Sequence, residues 1–217
     1  MPINLNHTGA GVVTLNAPTS GTPTLTLPTA DGTSGQALTT DGAGNLSFST
    51  VGGDLYYRRN TATTLNSGVT TQQSWLGLTD GVTVAANTVY EFEGYFQLNT
   101  SGTTSHTERT SFILTTATVT DIDYFVERFV NSAAGSAQFG NVGTSEANLT
   151  VTGSITTTQN VHYHIYGTVA FGTGGSFDPA LSFSAAPGGT STIGPGAFFK
   201  LRAIGTTGSN NSSGTWV

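Results

Sequence analysis

The chain has 217 residues, a net charge of −6 and no cysteine, so neither a disulfide frame nor a thiolate metal site is available to it. Charged residues make up 8% of the sequence, against about 25% in an ordinary soluble protein. Its six basic residues are too few to track a phosphate backbone, which argues against a nucleic-acid partner. No stretch approaches the ~20 apolar residues of a membrane-spanning helix, so no membrane partner is expected. No basic segment precedes an apolar run at the start, and the expectation is a product made in the cytoplasm without a signal peptide. Polarity comes instead from Thr, Ser, Asn and 29 glycines. Threonine suits a pleated surface, so this bias predicts strands joined by Gly-rich turns.

In chain order, residues 1–53 carry short apolar pairs among small polar residues: Ile3 and Leu5, Val13 and Leu15, Leu25 and Leu27, Leu46 and Phe48. Pro18, Pro23 and Pro28 interrupt any long strand. Asp31-Gly32 and Asp41-Gly42 are hairpin-type turn signals. So little apolar surface cannot offset the entropy of ordering the segment. It reads as an extended N-terminal arm, either flexible or ordered against a partner surface, with Gly52-Gly53 as a hinge.

Residues 54–217 carry nearly all the aromatic side chains. In Val89–Asn99, Tyr90, Phe92, Phe96 and Leu98 alternate with Glu91, Glu93 and Gln97. Further strands are expected over Ser111–Thr120, Ile122–Val130, Leu149–Ile155, Val161–Phe171, Ala180–Ser184 and Ala197–Ile204. No window sustains helical periodicity. About eight strands separated by Gly, Pro and Asn turns predict an antiparallel, jelly-roll-like β-sandwich.

Two of these strands are apolar on both faces. Ala197–Ile204 sets Phe199, Leu201 and Ala203 against Phe198 and Ile204, and Ile122–Val130 sets Phe125 and Phe129 against Ile122, Tyr124 and Val126. A two-sheet sandwich buries one face of each strand. The second face, with Phe198, Ile204, Phe125 and Phe129, is therefore expected at a subunit interface. Lys200 and Arg202 share the Phe198 face, which marks that side as the interface and the Phe199 side as the core.

Two stretches resemble known proteins. Leu27-Pro28-Thr29-Ala30-Asp31-Gly32, followed by Gly35-Gln36-Ala37-Leu38-Thr39-Thr40-Asp41-Gly42-Ala43-Gly44-Asn45-Leu46-Ser47-Phe48, resembles a module near the N-termini of fibre and decoration proteins of tailed phages. The region from Tyr56-Tyr57-Arg58 through Val89-Tyr90-Glu91-Phe92-Glu93 to Pro195-Gly196-Ala197-Phe198-Phe199-Lys200-Leu201 resembles their C-terminal domains. Those are similar to trimeric jelly rolls of the tumour-necrosis-factor type. The resemblance implies a homotrimer on the virion surface, acting as a capsid decoration (cement) protein or short head fibre. The other reading is a short tail fibre or receptor-binding protein that meets a host-surface glycan or receptor. In the first, the partner is the major capsid protein or another virion protein, reached through Ile3, Leu5, Val13, Leu15, Leu25, Leu27, Arg58 and Arg59. The arm's shortness and lack of heptads favour decoration over a fibre shaft.

Three constellations bear on chemistry. His162-x-His164 puts two imidazoles on one strand face, a spacing that can bind zinc or nickel, but no third ligand lies near in sequence. Glu91-x-Glu93 and Asp121-x-Asp123 have the residue types of a glycosidase pair, yet their alternation with inward aromatics reads as a solvated strand face. No nucleophile elbow or phosphate-binding loop is present. The expectation is a protein without catalytic role or cofactor.

Overall fold

The structure, a computed structural model, describes residues 26–32, 36–40, 43–50, 54–132 and 135–210. Among these residues all regular elements are strands. The chain divides into two units, Met1–Val51 and Gly52–Val217.

In the first unit, β1 (Gln36–Thr40) and β2 (Leu46–Thr50) form an antiparallel hairpin that places Leu38 opposite Phe48. Thr26 bridges to Asn45 alongside it. The hairpin leaves Leu38 and Phe48 exposed, and Leu27 is 69% exposed. Asp31-Gly32 joins no two strands, whereas Asp41-Gly42 lies outside the described residues, between β1 and β2. Ile3, Leu5, Val13, Leu15 and Leu25 also lie outside them.

The second unit begins with short strands: β3 (Leu55–Arg58), β4 (Thr63–Leu65), β5 (Gln73–Ser74) and β6 (Val82–Val84). Long strands follow: β7 (Thr88–Thr100), β8 (Glu108–Thr115), β9 (Thr118–Ser132) and β10 (Gly135–Gly143). The chain then makes β11 (Leu149–Thr150), β12 (Gln159–Thr173), β13 (Gly175–Phe183), β14 (Ser191–Ile193) and β15 (Phe198–Thr206).

These strands build two antiparallel sheets. The larger runs β10-β9-β12-β7. On the far side of β7, β15 pairs with its first part and β14 with its end; β3 flanks β15, and β4 flanks β14. The smaller runs β11-β8-β13, with β5 and β6 on the far edge of β13. The core lies between them. Phe92 of β7 meets Phe112 of β8 at 5.3 Å and Phe177 of β13 at 6.1 Å between ring centroids, and Phe112 meets Tyr124 of β9 at 5.3 Å. Alternation does what period two requires: Tyr90, Phe92, Phe96 and Leu98 are buried, as are Ile122, Tyr124 and Val126.

Trp75, fully buried, seals one end of the core against Phe96 at 4.1 Å. Its indole lies over Gly94, where an added Cβ would come within 2.6 Å of the ring and 2.8 Å of Phe199. Only glycine leaves room for a side chain of that size to close the core.

Several expected boundaries move. Ser111–Thr120 is not one strand, because Thr116 at φ 62° turns the chain from β8 into β9. Leu149–Ile155 holds only the two residues of β11, plus a bridge from Ile155 to His106. Ala203, expected in the core, is exposed where a register shift between Ala203 and Gly205 lifts β15 off strict alternation. β10, with the sequence GSAQFGNVG, has little intrinsic strand preference and is held by its hairpin pairing with β9.

Candidate interaction face

The side chains that point away from the core on the larger sheet form the most distinctive surface of the second unit. Cross-strand pairing sets them in rows. One row runs Asp123, Thr168, Glu91, Arg202; the next Val142, Phe125, Tyr166, Glu93, Lys200, Tyr56; the third Glu127, His164, Tyr95, Phe198, Arg58. The outer side of an antiparallel sheet is ordinarily polar. Here Tyr56 is 57% exposed, Tyr166 40% and Val142 63%, while Phe125, Phe129, Tyr95 and Phe198 are half-buried among them. Rings contact along the face: Tyr56 with Phe198 at 5.9 Å, Tyr95 with Phe198 at 6.2 Å, Phe125 with Tyr166 at 5.7 Å.

Charges stitch the same face. Lys200 Nζ lies 2.6 Å from Glu93, and Arg202 lies 2.8 Å from Glu91. The Lys200 ammonium first, and the His164 ring second, hold the Glu93 carboxyl below its usual range; Glu93 in turn raises Lys200. His164 sits between two carboxylates, Nε2 2.9 Å from Glu93 and Nδ1 3.2 Å from Glu127. His162 is hydrogen-bonded through Nδ1 to the Tyr95 hydroxyl and stacks on its ring. Thus the two histidines share a strand face as the alternation requires, each engaged with its own neighbours. No group of three or more His, Asp or Glu disposed to hold a metal occurs among the described residues. Glu91 and Glu93 stand side by side on one strand face, each tied to a cation. Asp121 and Asp123 are exposed on β9.

Of the residues expected at a subunit interface, Phe198, Phe125 and Phe129 lie on this face, and Ile204 is 42% exposed near the end of β15. Arg58 and Arg59 separate in role. Arg58 is exposed and donates to Asn60 at 2.6 Å. The Arg59 guanidinium is anchored inward, donating to the Leu76 carbonyl at 2.8 Å and to Thr61.

Sequence reading missed a polar cluster inside the sandwich. Arg128 of β9 reaches Glu108 of β8 at 2.9 Å, the Tyr163 hydroxyl at 2.9 Å and Gln159 at 2.9 Å. The Tyr163 hydroxyl also donates to Glu108. Glu108 and Tyr163 have no exposed surface, and Glu108 Oε1 has no hydrogen-bond partner. Burial, with the adjacent Glu108 carboxylate, pushes the Tyr163 hydroxyl well above its ordinary value. The available signal was the position of Arg128, on the same strand face as Tyr124 and Val126.

Compared with family models, curated proteins and solved structures, the chain matches none.

Proposed function

We propose that this chain is a structural protein of a phage particle, a capsid decoration protein or short head fibre without catalytic activity. Its second unit assembles as a homotrimeric jelly roll, and its N-terminal segment attaches it to the major capsid protein or another virion protein. The observation that carries self-association is the aromatic outer face of the larger sheet. Seven apolar or aromatic side chains there lack a third layer, and a further copy removes them from water.

Strand order supports the jelly roll. With β3 and β4, β5 and β6, and β14 and β15 each taken as one interrupted strand, the sheets read first, eighth, third, sixth and second, seventh, fourth, fifth. The β9–β10 hairpin is an addition at the edge of the sixth. Placement on a virion rests on the resemblance of residues 27–32 and 35–48 to the phage module. The exposed Leu27, Leu38 and Phe48 are apolar contacts available to a capsid partner. Against catalysis stand the cross-strand ion pairs that engage Glu91 and Glu93.

Imaging of particles carrying the tagged full chain tests the assignment. Many copies over the head are expected. A few copies at the tail tip would favour the tail-fibre reading, and an untagged, unlabelled particle would overturn both.

A further inference from the structure

Building on the self-association proposed above, we infer that the copies join head to tail: the β9–β10 edge of the larger sheet in one copy meets the β3–β15 edge in the next. A three-fold ring cannot close through one patch meeting itself. Each protomer needs two different and complementary surfaces. The two lateral edges of the larger sheet are such a pair.

The rows on the outer face show this complementarity strand by strand. The first has Asp123 at one end and Arg202 at the other; the second has Val142 with Phe125 at one end and Tyr56 at the other; the third has Glu127 on β9 and Arg58 on β3. Down the β9 side the order is acid, apolar, acid. Down the opposite side it is cation, aromatic, cation, at the same three heights. The whole chain has six basic residues, and three of them, Arg58, Lys200 and Arg202, lie on the outer face of β3 and β15, with one exposed acid, Asp54, beside Lys200 and Arg202; Arg59 is turned inward. Asp121 adds a further exposed acid on β9.

A three-fold axis that runs along the strands moves nothing along its own direction. Rows therefore meet at their own height: Asp123 faces Arg202, Val142 and Phe125 face Tyr56, and Glu127 faces Arg58. The side chains are placed for it. Arg58, Arg202 and Asp123 are exposed, Val142 and Tyr56 are the most exposed apolar side chains of the face, and Glu127, 19% exposed beside His164, is reached past Gly140 of β10, which has no side chain to cover it. The present partner of Arg202 is Glu91, with both side chains about half exposed, and such surface pairs are weak enough to share. Complementary charge of this kind fixes register and rejects the wrong neighbour.

The test is sedimentation velocity on the full chain. Three variants are compared with wild type: Asp123→Arg with Glu127→Arg, Arg58→Glu with Arg202→Glu, and all four together. Each double variant sets like charges across every joint and is expected to weaken association more than about a hundredfold. The quadruple variant restores opposite charges in every joint and is expected to recover the wild-type trimer. Double variants that remain trimeric, or a quadruple variant that stays dissociated while its circular dichroism is native, would overturn the head-to-tail joint. Wild type in rising salt gives a reading that needs no variant to fold: dissociation should increase as the charges are screened, and a trimer indifferent to salt counts against the inference. A wild-type chain that is monomeric throughout defeats self-association itself, a result distinct from either of these.

Discussion

Arg128 and Glu108, from facing sheets, meet across the core of the sandwich at 2.9 Å, with at most 7% of either side chain exposed. A buried pair of this kind is expensive to desolvate, and removing one partner leaves the other charged and alone. Arg128→Met should therefore destabilise the fold by about 3–5 kcal/mol, read as a lower urea midpoint. Replacing both partners by apolar residues should cost much less than the single change. Equal losses would mean that the hydrogen bonds of Arg128 to Tyr163 and Gln159 matter more than the ion pair.

Asp178 lies on β13, 3% exposed, and accepts a hydrogen bond from Ser74 at 3.0 Å. Burial pushes its carboxyl from 3.8 up to about 6. The folded chain then holds a proton that the unfolded chain has released, over the window between those two values. Stability should fall as pH rises through that window. Asp178→Asn keeps the acceptor and removes the charge. Its gain should reach up to about 3 kcal/mol above pH 6 and vanish below about pH 4, as measured by urea unfolding at several pH values. A gain that persists at low pH would place the effect in packing instead.

Phe198 and Phe199 are adjacent in sequence and point to opposite sides of β15. Phe199 is buried against Phe92 and Trp75, and Phe199→Ala should cost about 3–5 kcal/mol in any assembly state. Phe198→Ala should act on association, so its melting temperature should depend on protein concentration more steeply than that of wild type. Identical concentration dependence in both variants would remove Phe198 from the contact between copies.

Gly94→Ala introduces a methyl group where Trp75 and Phe199 already stand within 3 Å. Overpacking there should destabilise by about 1–3 kcal/mol, with a shift in tryptophan fluorescence as the indole is displaced. A second change, Trp75→Phe, should recover part of the loss by freeing space. No recovery would indicate that the backbone of β7, rather than the ring, resists the methyl group.

What the sequence by itself determined is the class of fold and the sidedness of its strands. Period-two alternation in Val89–Asn99 and Val161–Phe171 is a local property, because successive side chains point to opposite faces whatever the strand pairs with. That is enough to send Phe199 inward and Phe198 outward, and to put Glu91, Glu93, His162 and His164 on one side of the sheet. Only the tertiary structure decided which strands lie beside one another. Registers between β7, β12, β9 and β15 bring Glu93, Glu127 and His164 together although they are far apart in the chain, and they set Arg202 and Asp123 at the two ends of one row. The same holds for β10, whose glycines and small residues have no strand preference of their own, and for Arg128, whose partner Glu108 belongs to the opposite sheet. Pairing and inter-sheet contacts join residues of distant sequence position, so the pattern within one strand sets which face is buried but not which strand lies beside it.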